Sequence, residues 1–129
     1  MKEISRQWLN FATDDLDTIK EIIGIEHLTN IVAFHCQQCI EKSFKAVLEE
    51  SELDVPKVHD LIKLYGETKK IKEFEFNEDT LDILSRVYIE ARYPSELGLL
   101  PSGKPTIEET NKFYEFAKYV YTEIKKYLE

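Results

Sequence analysis

The stretch TNIVAFHCQQCIEKSFKAVLE, Thr29 to Glu49, decides the fold. It contains no Pro and no Gly, and Thr29 or Asn30 stands ready as an N-cap, so it reads as one long helix. Val32, Ala33, Phe34, Cys36, Cys39, Ile40, Phe44, Val47 and Leu48 cover most of its circumference. A helix that is apolar on so many sides has neighbours on several of them, which makes this one the central element of a bundle. One narrow stripe breaks the pattern. His35, Gln38, Lys42 and Lys45 follow one another at spacings of three and four and share a face. That stripe is the first place to look for chemistry.

Working outward toward the N-terminus, Glu3 to Ile23 reads as a helix with Leu9, Ala12, Leu16, Ile19 and Ile23 on its stripe, widened by Ile4, Trp8 and Phe11. Asp14, Asp15 and Asp17 read as lying off that stripe on a solvated face, not as metal ligands. Gly24 stops the helix and His27 falls in an exposed turn. Toward the C-terminus, Ser51 to Lys57 is a loop. Val58 to Tyr65 reads as a short helix with His59-Asp60 in its first turn and Gly66 as its stop. Lys69 to Phe76 is a charged connector with two aromatics, and Asn77 or Asp79 caps a helix carrying Leu81, Leu84, Val87, Tyr88 and Ala91. That helix ends near Arg92-Tyr93, because Pro94 disfavours helical geometry before it. Ser95 to Pro105 is the longest loop, and the capping box Thr106-x-x-Glu109 opens the last helix. The aromatic density there (Phe113, Tyr114, Phe116, Tyr119, Tyr121, Tyr127) divides between a thick core face and an association surface. The sum is an all-α protein: an up-and-down four-helix bundle with an additional short helix, one domain spanning residues 1–129.

Composition narrows the function classes. With 129 residues, 43% hydrophobic and 33% charged, the chain can bury a sizeable core. The net charge of −8 opposes a general duplex-DNA surface but leaves room for a local cluster of Lys, Arg and His around one phosphate. There is no long apolar run, and Met1 to Asn10 is polar and already patterned as helix, so no membrane contact and a cytoplasmic location are expected. Cys36 and Cys39 lie three apart on one helix with no strand before them and no second Cys/His pair, and they read as buried thiols. Phosphate-loop, dinucleotide-loop, zinc-protease and nucleophile-elbow motifs are absent, as is the Gly-Ser and Asp-x-Asp pattern of a nucleotidyltransferase active site. No metal or cofactor is expected. The polar candidates are the stripe, His59-Asp60 and Arg92-Tyr93, all at helix faces or ends that a bundle can bring together.

Four segments in order carry a family resemblance: Trp8-Leu9 with Ala12 and Asp15-Leu16; Phe34-His35-Cys36-Gln37-Gln38 followed by Glu41-Lys42 and Lys45-Ala46; His59-Asp60-Leu61; and Arg92-Tyr93-Pro94. Over its whole length the chain resembles a prokaryotic HEPN domain, the helical partner of minimal nucleotidyltransferases. The resemblance implies a five-helix bundle, commonly a homodimer, that binds nucleotide or RNA beside a separately encoded nucleotidyltransferase, often as a toxin–antitoxin module. Some members are metal-independent ribonucleases with Arg, four to six residues, then His. After Arg92 those positions hold Leu97, Gly98 and Leu99, and neither Arg6 nor Arg86 has a His at that spacing. The chain thus looks like the Arg-Tyr-Pro branch, without the ribonuclease motif and without assigned catalytic residues. His35, Gln38, Lys42, Lys45, His59, Arg92 and Tyr93 are the expected nucleotide-binding residues. Two alternatives stand beside this one: a ribonuclease using His35 or His59 with Arg92, and a structural dimeric interaction protein.

Overall fold

The computed structural model describes residues 1–92 and 104–129, the side chains of residues 89–92 apart. It comprises α1 (Glu3–Ile22), a 3-10 turn (Glu26–Leu28), α2 (Thr29–Glu50), α3 (Leu61–Lys69), α4 (Glu78–Arg92) and α5 (Ile107–Leu128). All regular structure among the described residues is helical, as the apolar periodicity requires. The central position of α2 is also as expected: it packs against α1, α3, α4 and α5. Around it, Ile40, Phe44, Leu48, Leu61, Leu64, Leu81, Leu84 and Ile124 are fully buried.

The ends of the elements correct several local expectations. Neither Thr29 nor Asn30 caps α2. The 3-10 turn runs straight into it, with Leu28 at the N-cap, and the side-chain oxygens Thr29 Oγ1 and Asn30 Oδ1 have no hydrogen-bond partner among the described residues. Gly24 takes a φ of +91° in the turn after α1, a backbone conformation that favours glycine. The third helix begins at Leu61, three residues later than the apolar pattern of Val58 suggests. Asp60 is its N-cap, accepting from the Ile62 N–H at 2.9 Å and the Lys63 N–H at 3.3 Å. Cap chemistry sets the boundary here, and it leaves His59 outside the helix. Gly66 does not stop α3, which continues through it in helical geometry to Lys69.

In the charged connector between α3 and α4 the two aromatics turn inward. Phe74 and Phe76 are buried, and the Tyr65 hydroxyl ties them down, donating to the Phe74 carbonyl at 2.7 Å and accepting from the Phe76 N–H at 3.0 Å. Asn77 caps α4 through the Thr80 N–H, and the Thr106–Glu109 capping box forms in both directions. On α5, Phe113 and Tyr114 are buried, while Tyr119 and Tyr127 stay exposed, edge-on to Phe76 and Phe74. The loop expected over Ser95 to Pro105 lies, up to residue 103, outside the described residues.

Cys36 and Cys39 are free, fully buried thiols. Burial, reinforced by the nearby Asp15 carboxylate, pushes both above the ordinary thiol value of 9.0. Both should therefore resist iodoacetamide in the native protein at pH 8 and react once urea unfolds it, as read by mass spectrometry. The linkage sign follows. The folded state holds these protons more tightly than the unfolded chain, so this contribution to stability is complete below about pH 9 and is lost as pH rises beyond it.

Candidate functional site

The site is built from two buried carboxylates, each holding one histidine and one lysine. In the first unit, Asp15 of α1 receives His35 Nδ1 on one oxygen and Lys42 Nζ on the other, each at 2.8 Å. The Asp15 side chain is 6% exposed, against 24% for His35 and 22% for Lys42. This overturns the reading of Asp15 as part of a solvated face. It stands three residues after Ala12 and four before Ile19, which puts it on the stripe that packs against α2. A carboxylate enters that interface because α2 meets it there with two hydrogen-bonding partners, one of them the Lys42 ammonium.

In the second unit, Glu41 of α2 receives His59 Nδ1 at 2.9 Å on one oxygen and Lys45 Nζ at 2.9 Å on the other. The amide of Gln37, fully buried, donates to Glu41 at 3.1 Å and to the His59 carbonyl at 2.9 Å, and so sews the segment before α3 onto α2. Gln38 joins this network by donating to the Gln37 side-chain oxygen at 2.7 Å. Lys45 is 8% exposed and its ammonium also lies 5.5 Å over the Trp8 ring, so it braces Glu41 and offers little to solvent.

An ionised carboxylate only accepts hydrogen bonds, so each Nδ1 carries the proton and each imidazole turns its Nε2 the other way. The two histidines also belong to one row of rings. His35 lies edge-on to Phe34 at 5.4 Å, Phe34 stacks on Tyr88 at 5.7 Å, and Tyr88 stacks on His59 at 4.5 Å. The row crosses from α2 to α4 and back to the start of α3, and places both units along one side of the bundle. Beside His59 a groove of about 450 Å³ opens between the start of α3 and α4.

Of the expected site residues, the structure links His35 with Lys42, and Gln38 and Lys45 with His59. Arg92 closes α4, but its side chain and the whole of Tyr93 lie outside the described residues. Sequence reasoning missed Asp15 as an anchor and Gln37 as the hub; for Glu41 the four-residue spacing to Lys45 allowed the ion pair that forms, but not the bond to His59. The signal for Asp15 was its place in the α1 stripe, and for Gln37 its place between the apolar positions Cys36 and Ile40. Among the described residues no group of three or more His, Cys, Asp or Glu is arranged to hold a metal ion, and no helix is long and apolar enough to cross a membrane.

Fold and site define the class: a small all-α bundle whose central helix carries a cationic face anchored on buried carboxylates. Residues 5–127 match the HEPN domain family, and the chain belongs to that family. The crystal structure of TT1696 from Thermus thermophilus superposes with a TM-score of 0.78 over 97% of this chain and 98% of that one, at 20% identity, a likeness of fold. No curated protein matches the sequence.

Proposed function

We propose that this HEPN domain is a non-catalytic nucleotide- or RNA-binding module, dimeric, that works with a separately encoded minimal nucleotidyltransferase in a toxin–antitoxin type of pair. The observation that carries the binding part is the Asp15 unit. Asp15 takes one ammonium proton of Lys42 and the Nδ1 proton of His35, which leaves further Lys42 protons to meet phosphate oxygens and the His35 Nε2 as an acceptor for a ligand hydroxyl or amine. Both side chains are already ordered by the carboxylate, so less freedom is lost when a ligand arrives. The partner and the paired setting are supported by the sequence resemblance around Phe34-His35-Cys36-Gln37-Gln38 and Arg92-Tyr93-Pro94.

The test is isothermal titration against ATP, GTP, AMP and a short RNA at low and moderate salt. Saturable binding that weakens at least tenfold in Lys42→Ala is expected, because a hydrogen bond to a charged group contributes about 1.5–3 kcal/mol. Unchanged affinity in that variant overturns the reading.

One geometric observation favours a second reading, a metal-independent ribonuclease. A carboxylate on Nδ1 is how a general-base histidine is oriented, and both His35 and His59 have one. RNA cleavage in the presence of a chelator, abolished by His35→Ala or His59→Ala, would select it.

A further inference from the structure

We propose that the groove beside His59 is a nucleobase subsite, with the His59 ring as its stacking surface. This rests on the nucleotide-binding reading and extends it to a part of the molecule that the cationic stripe does not reach. The groove's volume of about 450 Å³ falls within the range of clefts that enclose small ligands. Val58, His59 and Tyr88 give it ring and aliphatic walls, and Ser85 and the Asp82–Arg86 pair give it a polar side. An apolar slot with a few convergent polar groups suits a flat heteroaromatic ring better than it suits a phosphate.

His59 is fitted to this task in three ways. Its side chain is 49% exposed and lines the groove. One face of the ring is backed by Tyr88, with 28° between the planes. Its Nδ1 is held by the buried Glu41, and its backbone carbonyl by the buried Gln37, so the ring plane is fixed before any ligand arrives. A rigid, backed, half-exposed ring is what base stacking uses.

The polar side supplies hydrogen bonds for a base edge. Arg86 and Asp82 face each other at 3.3 Å as an exposed pair one turn apart on α4, an interaction weak enough to be exchanged for a ligand. A guanidinium offers donors and a carboxylate offers acceptors, which together suit the mixed edge of a base. The Ser85 hydroxyl accepts from the Leu61 N–H at 2.7 Å and keeps its own proton to donate. The ligand class is a base joined to ribose phosphate, either free or displayed by a single RNA strand.

The experiment compares AMP, ribose 5-phosphate and an adenosine trinucleotide by isothermal titration of the full chain. AMP should bind about tenfold more tightly than ribose 5-phosphate, the lower part of what stacking one base contributes. A trinucleotide that binds more tightly than AMP assigns the subsite to a strand, and equal binding assigns it to the free nucleotide; either supports the subsite. His59→Ala should bring AMP down to the level of ribose 5-phosphate. His59→Phe should keep part of the preference, since it retains a stacking ring but loses the Glu41 bond that fixes its plane. Arg86→Ala should reduce the preference at least threefold. AMP and ribose 5-phosphate binding alike in the wild-type protein, or an unchanged ratio in His59→Ala, overturns the subsite while phosphate binding at Lys42 stands. Binding of none of the three ligands overturns the parent reading and the subsite with it. Circular dichroism melts of each variant, at exposed positions, are the check that it remains folded.

Discussion

Glu41→Ala should destabilise the protein by about 3–5 kcal/mol, the range seen when one partner of a buried ion pair is removed, which for a domain of this size lowers the melting temperature by roughly 10 °C or more. The size of the effect comes from what is left behind. Lys45 is 8% exposed and, among the described residues, Glu41 is its only ion-pair partner, so the variant must bury an uncompensated ammonium or pull α2 open to hydrate it. Gln37 loses an acceptor in a site without exposure, and His59 loses the bond that orients its ring. Asp15→Ala, by contrast, should cost less. Its partners His35 and Lys42 are about a quarter exposed, and water can replace the carboxylate. Combining Glu41→Leu with Lys45→Met should recover much of the loss, because an apolar pair of similar volume removes the stranded charge. Urea titrations with unchanged m-values provide the measurement. Equal stability of Glu41→Ala and Asp15→Ala would refute the assignment of Glu41 as the deeper anchor.

That contrast also marks what could be read from the sequence. The helices were legible because apolar side chains recur at helical spacing over twenty residues or more, as in α1, α2 and α5, and no local detail can override so long a pattern. The short α3 was less legible. With nine residues it offers little periodicity, and its boundaries were set by a single cap, Asp60, and by a glycine that stays helical. The polar stripe His35, Gln38, Lys42 and Lys45 was visible as a face, but its division between two carboxylates was not. The Glu41–Lys45 pair lies within α2 at a four-residue spacing that the sequence allows, whereas Lys42 meets Asp15 of α1 only through helix packing. The same holds for the aromatic row. Phe34 and Tyr88 each look like ordinary core positions, and only the crossing of α2 with α4 makes them a continuous link between His35 and His59.

Phe44→Ala should cost about 3–5 kcal/mol as well, by a different mechanism, and should leave ligand affinity of the folded protein untouched. Phe44 is fully buried and stacks on Tyr65 at 5.7 Å, with Phe76 at 6.1 Å on a tilted plane. Removing it opens a void among rings that also hold the α3–α4 connector, because the Tyr65 hydroxyl is what pairs the Phe74 carbonyl and the Phe76 N–H. The loss is large against the roughly 5–15 kcal/mol that a domain typically has in total. Phe44→Leu, which refills most of the volume, should cost about 1–2 kcal/mol. Phe44 has no hydrogen bond or ring contact with either carboxylate unit, so its variants separate stability from the site. Glu41→Ala lowers the melting temperature and also frees His59, and it should weaken the preference for AMP over ribose 5-phosphate. Phe44→Ala should lower the melting temperature alone, when binding is titrated well below it. A Phe44→Ala protein that loses nucleotide affinity while still folded would mean that the aromatic core under α3, and not the carboxylate anchors alone, sets the position of His59.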